Sequence, residues 1–148
     1  MEKVLFVCHG NICRSPMAEF IMKKMVRDDG REGDFEIASA ATSREEIGND
    51  VYPPAKEELH SHGVPFQSRH ARQITSADLS AYDHIFVMDS NNMRNLRRMF
   101  GELPAKVRPL MSLAGDPRDV ADPWYTGDFE STYTDITTAL SAWLQRKS

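Results

Sequence analysis

Four short apolar runs punctuate the chain, at residues 4–7, 35–38, 84–88 and, more weakly, 106–110. Each has the length of a strand and is bounded by polar or turn-forming residues, which predicts four buried strands. Between them the apolar positions change period. Met17, Phe20, Ile21 and Met25 fall on one face of a helix, and Pro16 suits its first position, where the missing N–H has no intrahelical partner to lose. A second helix over residues 53–62 opens on proline and is followed by Gly63; a third over residues 91–100 is stopped by Gly101 and Pro104. Phe129, Tyr133, Ile136, Leu140, Trp143 and Leu144 recur at helical spacing over about four turns and predict a long last helix whose aromatic stripe is core. The polar stretch at residues 27–34 reads as a turn between two elements.

Strands that alternate with helices predict a parallel sheet covered on both faces, because parallel neighbours need crossovers and the crossovers lay helices on the faces. In such sheets a ligand sits beyond the carboxyl ends of the strands, where the strand order switches. The 148 residues suit one domain spanning 1–148, and 41% hydrophobic with 27% charged residues is the balance of a globular chain. A net charge of −4 gives no general attraction to nucleic acid or to an anionic membrane. No stretch has the pattern of a membrane span or signal peptide, so a cytoplasmic protein with no membrane insertion is expected.

Both cysteines lie within Cys8-His9-Gly10-Asn11-Ile12-Cys13-Arg14-Ser15-Pro16, between the first strand and the first helix. A closed loop that short stabilises little through chain entropy, so the pair calls for a chemical explanation or is incidental packing. Facing a helix N-terminus, the loop has unpaired N–H groups and a dipole that favour an anion. Gly10 and Asn11 tolerate left-handed backbone, which lets the amides fold inward, and the planar fork of Arg14 matches two phosphate oxygens. These surroundings favour a thiolate at Cys8, to which Ser15 can donate. A thiolate at the base of such a cradle is a nucleophile aimed at phosphorus, and the chemistry then needs an acid for the departing oxygen. Asp122, before Pro123 and beside Trp124 and Tyr125, has that form; Asp116, before Pro117, has it equally.

These residues resemble the low molecular weight protein tyrosine phosphatase family, whose signature Cys-x-Gly-Asn-x-Cys-Arg-Ser-Pro is complete here. The similarity runs through Ser39-Ala40-Ala41, Ala71-Arg72-Gln73-Ile74, Met88-Asp89, Asp122-Pro123-Trp124-Tyr125 and Asp128-Phe129-Glu130. It implies a four-stranded parallel sheet of order 2-1-3-4 with helices on both faces, a flavodoxin-like three-layer arrangement. It also implies hydrolysis of protein phosphotyrosine and small aryl phosphates, with phosphate and other oxyanions as ligands and with no metal or cofactor. Cys8 is then the nucleophile of a phosphocysteine intermediate, Arg14 holds the equatorial oxygens, and Asp122 rather than Asp116 is the acid and later the base. His9, Gly10, Asn11, Ile12, Cys13 and Ser15 complete the phosphate-binding loop, and Ser39 supports Asn11. Cys13 is the redox partner that can trap an oxidised Cys8 as a disulfide; its bland counterpart is a small buried hydrophobe.

Several positions depart from the family pattern. Where many relatives have a histidine that supports the loop asparagine, this chain has Ser68-Arg69-His70, and neither Arg69 nor His70 is assigned that place. Glu45 falls where some relatives have an aromatic wall, and Trp124 replaces a tyrosine. Ile12 suits a phenyl ring, whereas relatives acting on phosphoarginine carry threonine, so protein-arginine phosphatase is the nearest alternative. Arsenate reductases need cysteines outside the loop, and both here lie within it. A non-catalytic anion-binding or redox-sensing module would have no use for Asp122. Arg94, Arg97 and Arg98 read as solvated surface, and His60 and His62 do not face one another on a helix.

Overall fold

The computed structural model describes residues 1–147. Strands β1 (Glu2–Cys8), β2 (Phe35–Ala41), β3 (His84–Val87) and β4 (Val107–Pro109) form one parallel sheet of order β2-β1-β3-β4. The helices are α1 (Arg14–Asp28), α2 (Pro53–Ser61), α3 (Ser76–Ala81), α4 (Ser90–Phe100), α5 (Pro123–Thr126) and α6 (Phe129–Arg146). Two 3₁₀ turns, Glu32–Asp34 and Leu110–Ala114, complete the regular structure.

Strand β1 is central and apolar on both sides, so its alternate residues build two cores. Val4 and Phe6 face a cluster with Met17, Ile21, Phe86, Leu140 and Trp143, under α1, α2 and α6. Leu5 and Val7 face Ile74, Ile85, Val87 and Leu96, under α3 and α4. Sheet and helices therefore form three layers, and β1 ends with Cys8 between β2 and β3. That is where the strand order reverses direction, because the chain steps from β1 outward to β2 and then back across to β3.

The four strands fall where the apolar runs lie. The aromatic stripe of α6 is core as read: Ile136 and Leu140 are fully buried, and the Trp143 ring meets Phe86 edge-on with centroids 5.1 Å apart. Helix α1 starts at Arg14, two residues before the expected Pro16. Proline is tolerated there because every N–H of the first helical turn lacks an intrahelical partner. The stretch read as one turn at residues 27–34 is divided instead, with α1 running to Asp28 and a 3₁₀ turn at Glu32–Asp34. Two short helices carry no apolar periodicity to betray them: α3 stands on a capping box between Thr75 and Asp78, and α5 on the Asp122 cap with Pro123 at its first position.

Candidate active site

The loop after β1 is shaped by what its carbonyls bind. Cys8 O accepts from Thr42 N at 2.9 Å, His9 O from Ser43 N at 3.0 Å, Ile12 O from Tyr52 N at 2.9 Å, and Cys13 O from Met17 N at 3.1 Å. A planar trans peptide points its N–H opposite its C=O. Tying these carbonyls outward therefore turns the N–H groups of His9, Gly10, Cys13 and Arg14 the other way, toward a cavity of about 120 Å³ that those residues line. Asn11 makes the bend, at φ 59°, in the left-handed region that asparagine tolerates best after glycine. Gly10 does not share that conformation. A Cβ there would lie 3.3 Å from the Glu46 side chain, tight enough that Glu46 would have to shift by a few tenths of an ångström.

At the base of the cavity Cys8 Sγ lies 3.0 Å from Ser15 Oγ and accepts from Asn11 N at 3.3 Å. The Asn11 side chain is fully buried and its amide donates twice, to Ser15 Oγ at 2.8 Å and to Ser39 Oγ at 2.9 Å. Ser39 Oγ in turn donates to Glu19 Oε1 at 2.6 Å. Because Asn11 supplies a proton to Ser15 Oγ, the Ser15 hydroxyl proton is free for the sulfur; its other acceptor, Ala40 O, is 3.5 Å away. Asn11 Oδ1 accepts from the backbone N–H of Arg72 at 3.2 Å. Neither candidate side chain supports Asn11: Arg69 donates to Asn49 O, and His70 Nδ1 lies 2.8 Å from Gly48 O.

Arg14 is 2% exposed. Its Nη1 donates to Asp89 Oδ2 at 2.7 Å and to Val120 O at 2.8 Å, and its Nη2 lies 3.4 Å from Asp122 Oδ2. Burial alone would lower its pKa, but the negative charges of Cys8, Asp89 and Asp122 raise it beyond the ordinary arginine value. Burial pushes the Cys13 thiol up to about 12, with the charges of Cys8 and Asp122 acting in the same direction.

Asp122 lies on the wall of this cavity while Asp116 is bound to Arg118, so the geometry separates two residues that the sequence alone left equivalent. Asp122 Oδ1 accepts from Trp124 N, capping α5, which leaves Oδ2 for Arg14. Trp124 and Tyr125 line the mouth at 51% and 83% exposure, and Tyr52 backs Trp124 with ring centroids 4.7 Å apart. Glu45 lines the same mouth and pairs with His9 Nε2 at 2.9 Å. Ile12 and Cys13 also line the cavity and cluster with Ala71. The residues to which the sequence reading gave no role are Asp89, which it carried only within the resemblance, Glu19, Glu46 and the Val120 carbonyl. An acid directly beyond the carboxyl end of β3 was a usable signal for Asp89; a backbone carbonyl leaves none. His62 pairs with Glu58 and stacks on Tyr133 at 3.6 Å, between α2 and α6. Among the described residues no helix is long and apolar enough to cross a membrane.

Residues 3–147 match the family model for low molecular weight phosphotyrosine protein phosphatase. The chain is 41% identical to the low molecular weight protein-tyrosine-phosphatase YfkJ of Bacillus subtilis, over 88% of this chain and 85% of that one. It is 39% identical to the human low molecular weight phosphotyrosine protein phosphatase, over 98% and 95%. The crystal structure of YfkJ superposes with a TM-score of 0.93, covering 99% of this chain and 94% of the other. That of DARP, a Drosophila arginine phosphatase, superposes with 0.89 at 30% identity, covering 100% and 98%. A loop with Cys8 at its base, set at the switch point of a 2-1-3-4 sheet in a chain matched over almost its full length, places this enzyme in the low molecular weight phosphotyrosine protein phosphatase family.

Proposed function

We propose that the protein hydrolyses phosphotyrosine in proteins, and small aryl phosphates, through a phosphocysteine intermediate. The observation that carries this reading is the convergence of Cys8, Arg14 and Asp122 on one cavity of about 120 Å³. The phosphoryl group enters the cradle, its equatorial oxygens bound by the inward amides and by the Arg14 guanidinium, whose Nη1 Asp89 and Val120 hold in place. Cys8 Sγ attacks phosphorus, the S–P bond forms as the P–O(aryl) bond breaks, and Asp122 gives its proton to the departing phenolic oxygen. Water then attacks phosphorus, Asp122 takes its proton, and inorganic phosphate leaves as the sulfur recovers its electron pair. Trp124 and Tyr125 wall the phenyl ring, and Ile12 offers it an apolar floor.

The test is rapid acid quench of the wild type with a labelled aryl phosphate. Label on Cys8 supports the reading, and Cys8→Ser abolishes both label and turnover. An enzyme that turns over without labelling Cys8 overturns the mechanism. A phosphoarginine peptide compared with a phosphotyrosine peptide separates the two phosphatase readings; Ile12 has no polar group to offer a guanidinium, so the tyrosine substrate is expected to be preferred. Free phosphate is expected to inhibit competitively.

Cys13 supports a finer reading, that it protects the nucleophile. Peroxide oxidises the Cys8 sulfur to sulfenic acid and is itself reduced to water; the Cys13 thiol then condenses with it to a disulfide, releasing a second water. Both cysteines are free thiols and buried. Peroxide inactivation is expected to reverse with a dithiol in the wild type and to become permanent in Cys13→Ser. Equal recovery leaves Cys13 as packing.

A further inference from the structure

We infer that Arg118 and Asp119 are positioning residues that brace the loop carrying Asp122 to the same helix end that orients Arg14. The inference rests on the proposed role of Asp122 as leaving-group acid. The seven residues from Asp116 to Asp122 have no regular secondary structure, yet nearly every one of their side-chain charges is committed. Asp116 accepts from Arg118 N at 3.0 Å and from Arg118 Nε at 2.8 Å, closing a tight turn at the start of the loop. The remaining two nitrogens of Arg118 donate to both oxygens of Asp135 on α6, at 2.8 and 2.7 Å, and that carboxylate is only 14% exposed.

Asp119 then reaches the first turn of α4, where its carboxylate accepts from Ser90 N at 3.0 Å and from Ser90 Oγ at 3.2 Å. An anion is favoured at that end of a helix. The preceding residue, Asp89, caps α4 and grips Arg14. Asp119 therefore fixes the acid loop to the element that fixes the guanidinium. Val120 closes the path, its N–H on Met88 O at 2.9 Å and its C=O on Arg14 Nη1 at 2.8 Å. Asp122 follows two residues later, and Pro123 is buried at the start of α5.

Isolated exposed ion pairs contribute little to stability, and Arg118 is half exposed. What this brace governs is position. A misplacement of about 1 Å in a reacting group can cost on the order of a hundredfold in rate. The loss falls on substrates whose leaving group needs a proton, because an activated phenolate departs without one.

The experiment measures kcat/KM toward phenyl phosphate and toward 4-nitrophenyl phosphate for the wild type, Asp122→Ala, Arg118→Ala, Asp119→Ala, Asp135→Ala and the double variant Arg118→Ala/Asp135→Ala. The brace variants are expected to lose roughly five- to tenfold toward phenyl phosphate and under twofold toward 4-nitrophenyl phosphate, with melting temperatures near that of the wild type. The double variant is expected to match Arg118→Ala, since that change alone already removes the contact with Asp135. Arg118→Lys keeps the charge but not the two-pronged bond, and is expected to fall between. Equal losses on both substrates, or none, overturn the brace. If Asp122→Ala itself shows no leaving-group dependence, the acid assignment fails instead.

Discussion

Burial pushes the Cys13 thiol from an ordinary value of 9.0 up to about 12, and the charges on Cys8 and Asp122 add to the rise. The fold therefore holds this proton more tightly than the unfolded chain does. The stability that this proton contributes is expected to be intact below about pH 9 and to be lost as pH rises from there toward about 12, by up to about 4 kcal/mol. Urea denaturation at about pH 8 and about pH 10.5 should show a smaller alkaline loss in Cys13→Ala than in the wild type. An equal loss would mean that another group carries it. At neutral pH Cys13, buried and protonated, is expected to stay silent to iodoacetamide until the chain unfolds, which a denaturant titration of the alkylation rate checks. The reach of the sequence ends near here. Cys8, Arg14 and Ser15 were legible because a nine-residue motif places them together, and Ser39 because the resemblance carried it. The donor to Asn11 Oδ1 was not, because it is the backbone N–H of Arg72, which any residue supplies, and not the Arg69 or His70 side chain.

Helix α5 shows one side chain serving an element and the chemistry together. Asp122 Oδ1 caps the helix on Trp124 N while Oδ2 faces Arg14. Asp122→Asn keeps an acceptor for the cap and loses the acid; Asp122→Ala loses both. Replacing a capping carboxylate by alanine costs about 1 kcal/mol. Thermal denaturation should thus rank alanine below asparagine, while both lose activity toward phenyl phosphate to the same extent. If asparagine retained that activity, the carboxyl would not be the proton donor. Elements of this kind are hard to read ahead of structure. A one-turn helix buries too little for a period, so α5 and α3 are visible only through their caps, Asp122-Pro123 and Thr75-x-x-Asp78. The long apolar periods of α1 and α6 are visible because tertiary packing demands them.

Across the whole molecule, the buried aromatic cluster around Trp143 and the cavity beyond Cys8 lie at opposite ends of the sheet. Trp143 meets Phe35, His84 and Phe86, with ring centroids 6.2, 4.9 and 5.1 Å away, near the starts of β2 and β3. The cavity opens beyond Cys8, at the end of a strand whose seven residues span about 20 Å. The chain has two tryptophans, and they divide along that axis: Trp143 is 5% exposed in the core and Trp124 is 51% exposed at the mouth. Trp143→Ala should cost about 3–5 kcal/mol in urea, because a void replaces a large ring. Its KM for an aryl phosphate should stay at the wild-type value wherever the variant is folded. In Trp143→Phe all tryptophan emission comes from Trp124, so titration with phosphate should shift that emission at the concentrations that inhibit turnover. Trp124→Phe should give the complementary result, an emission blind to phosphate that still reports unfolding. An emission from Trp124 that ignores an inhibiting anion would remove this ring from the wall of the site and leave Tyr125 and Ile12 to meet the substrate.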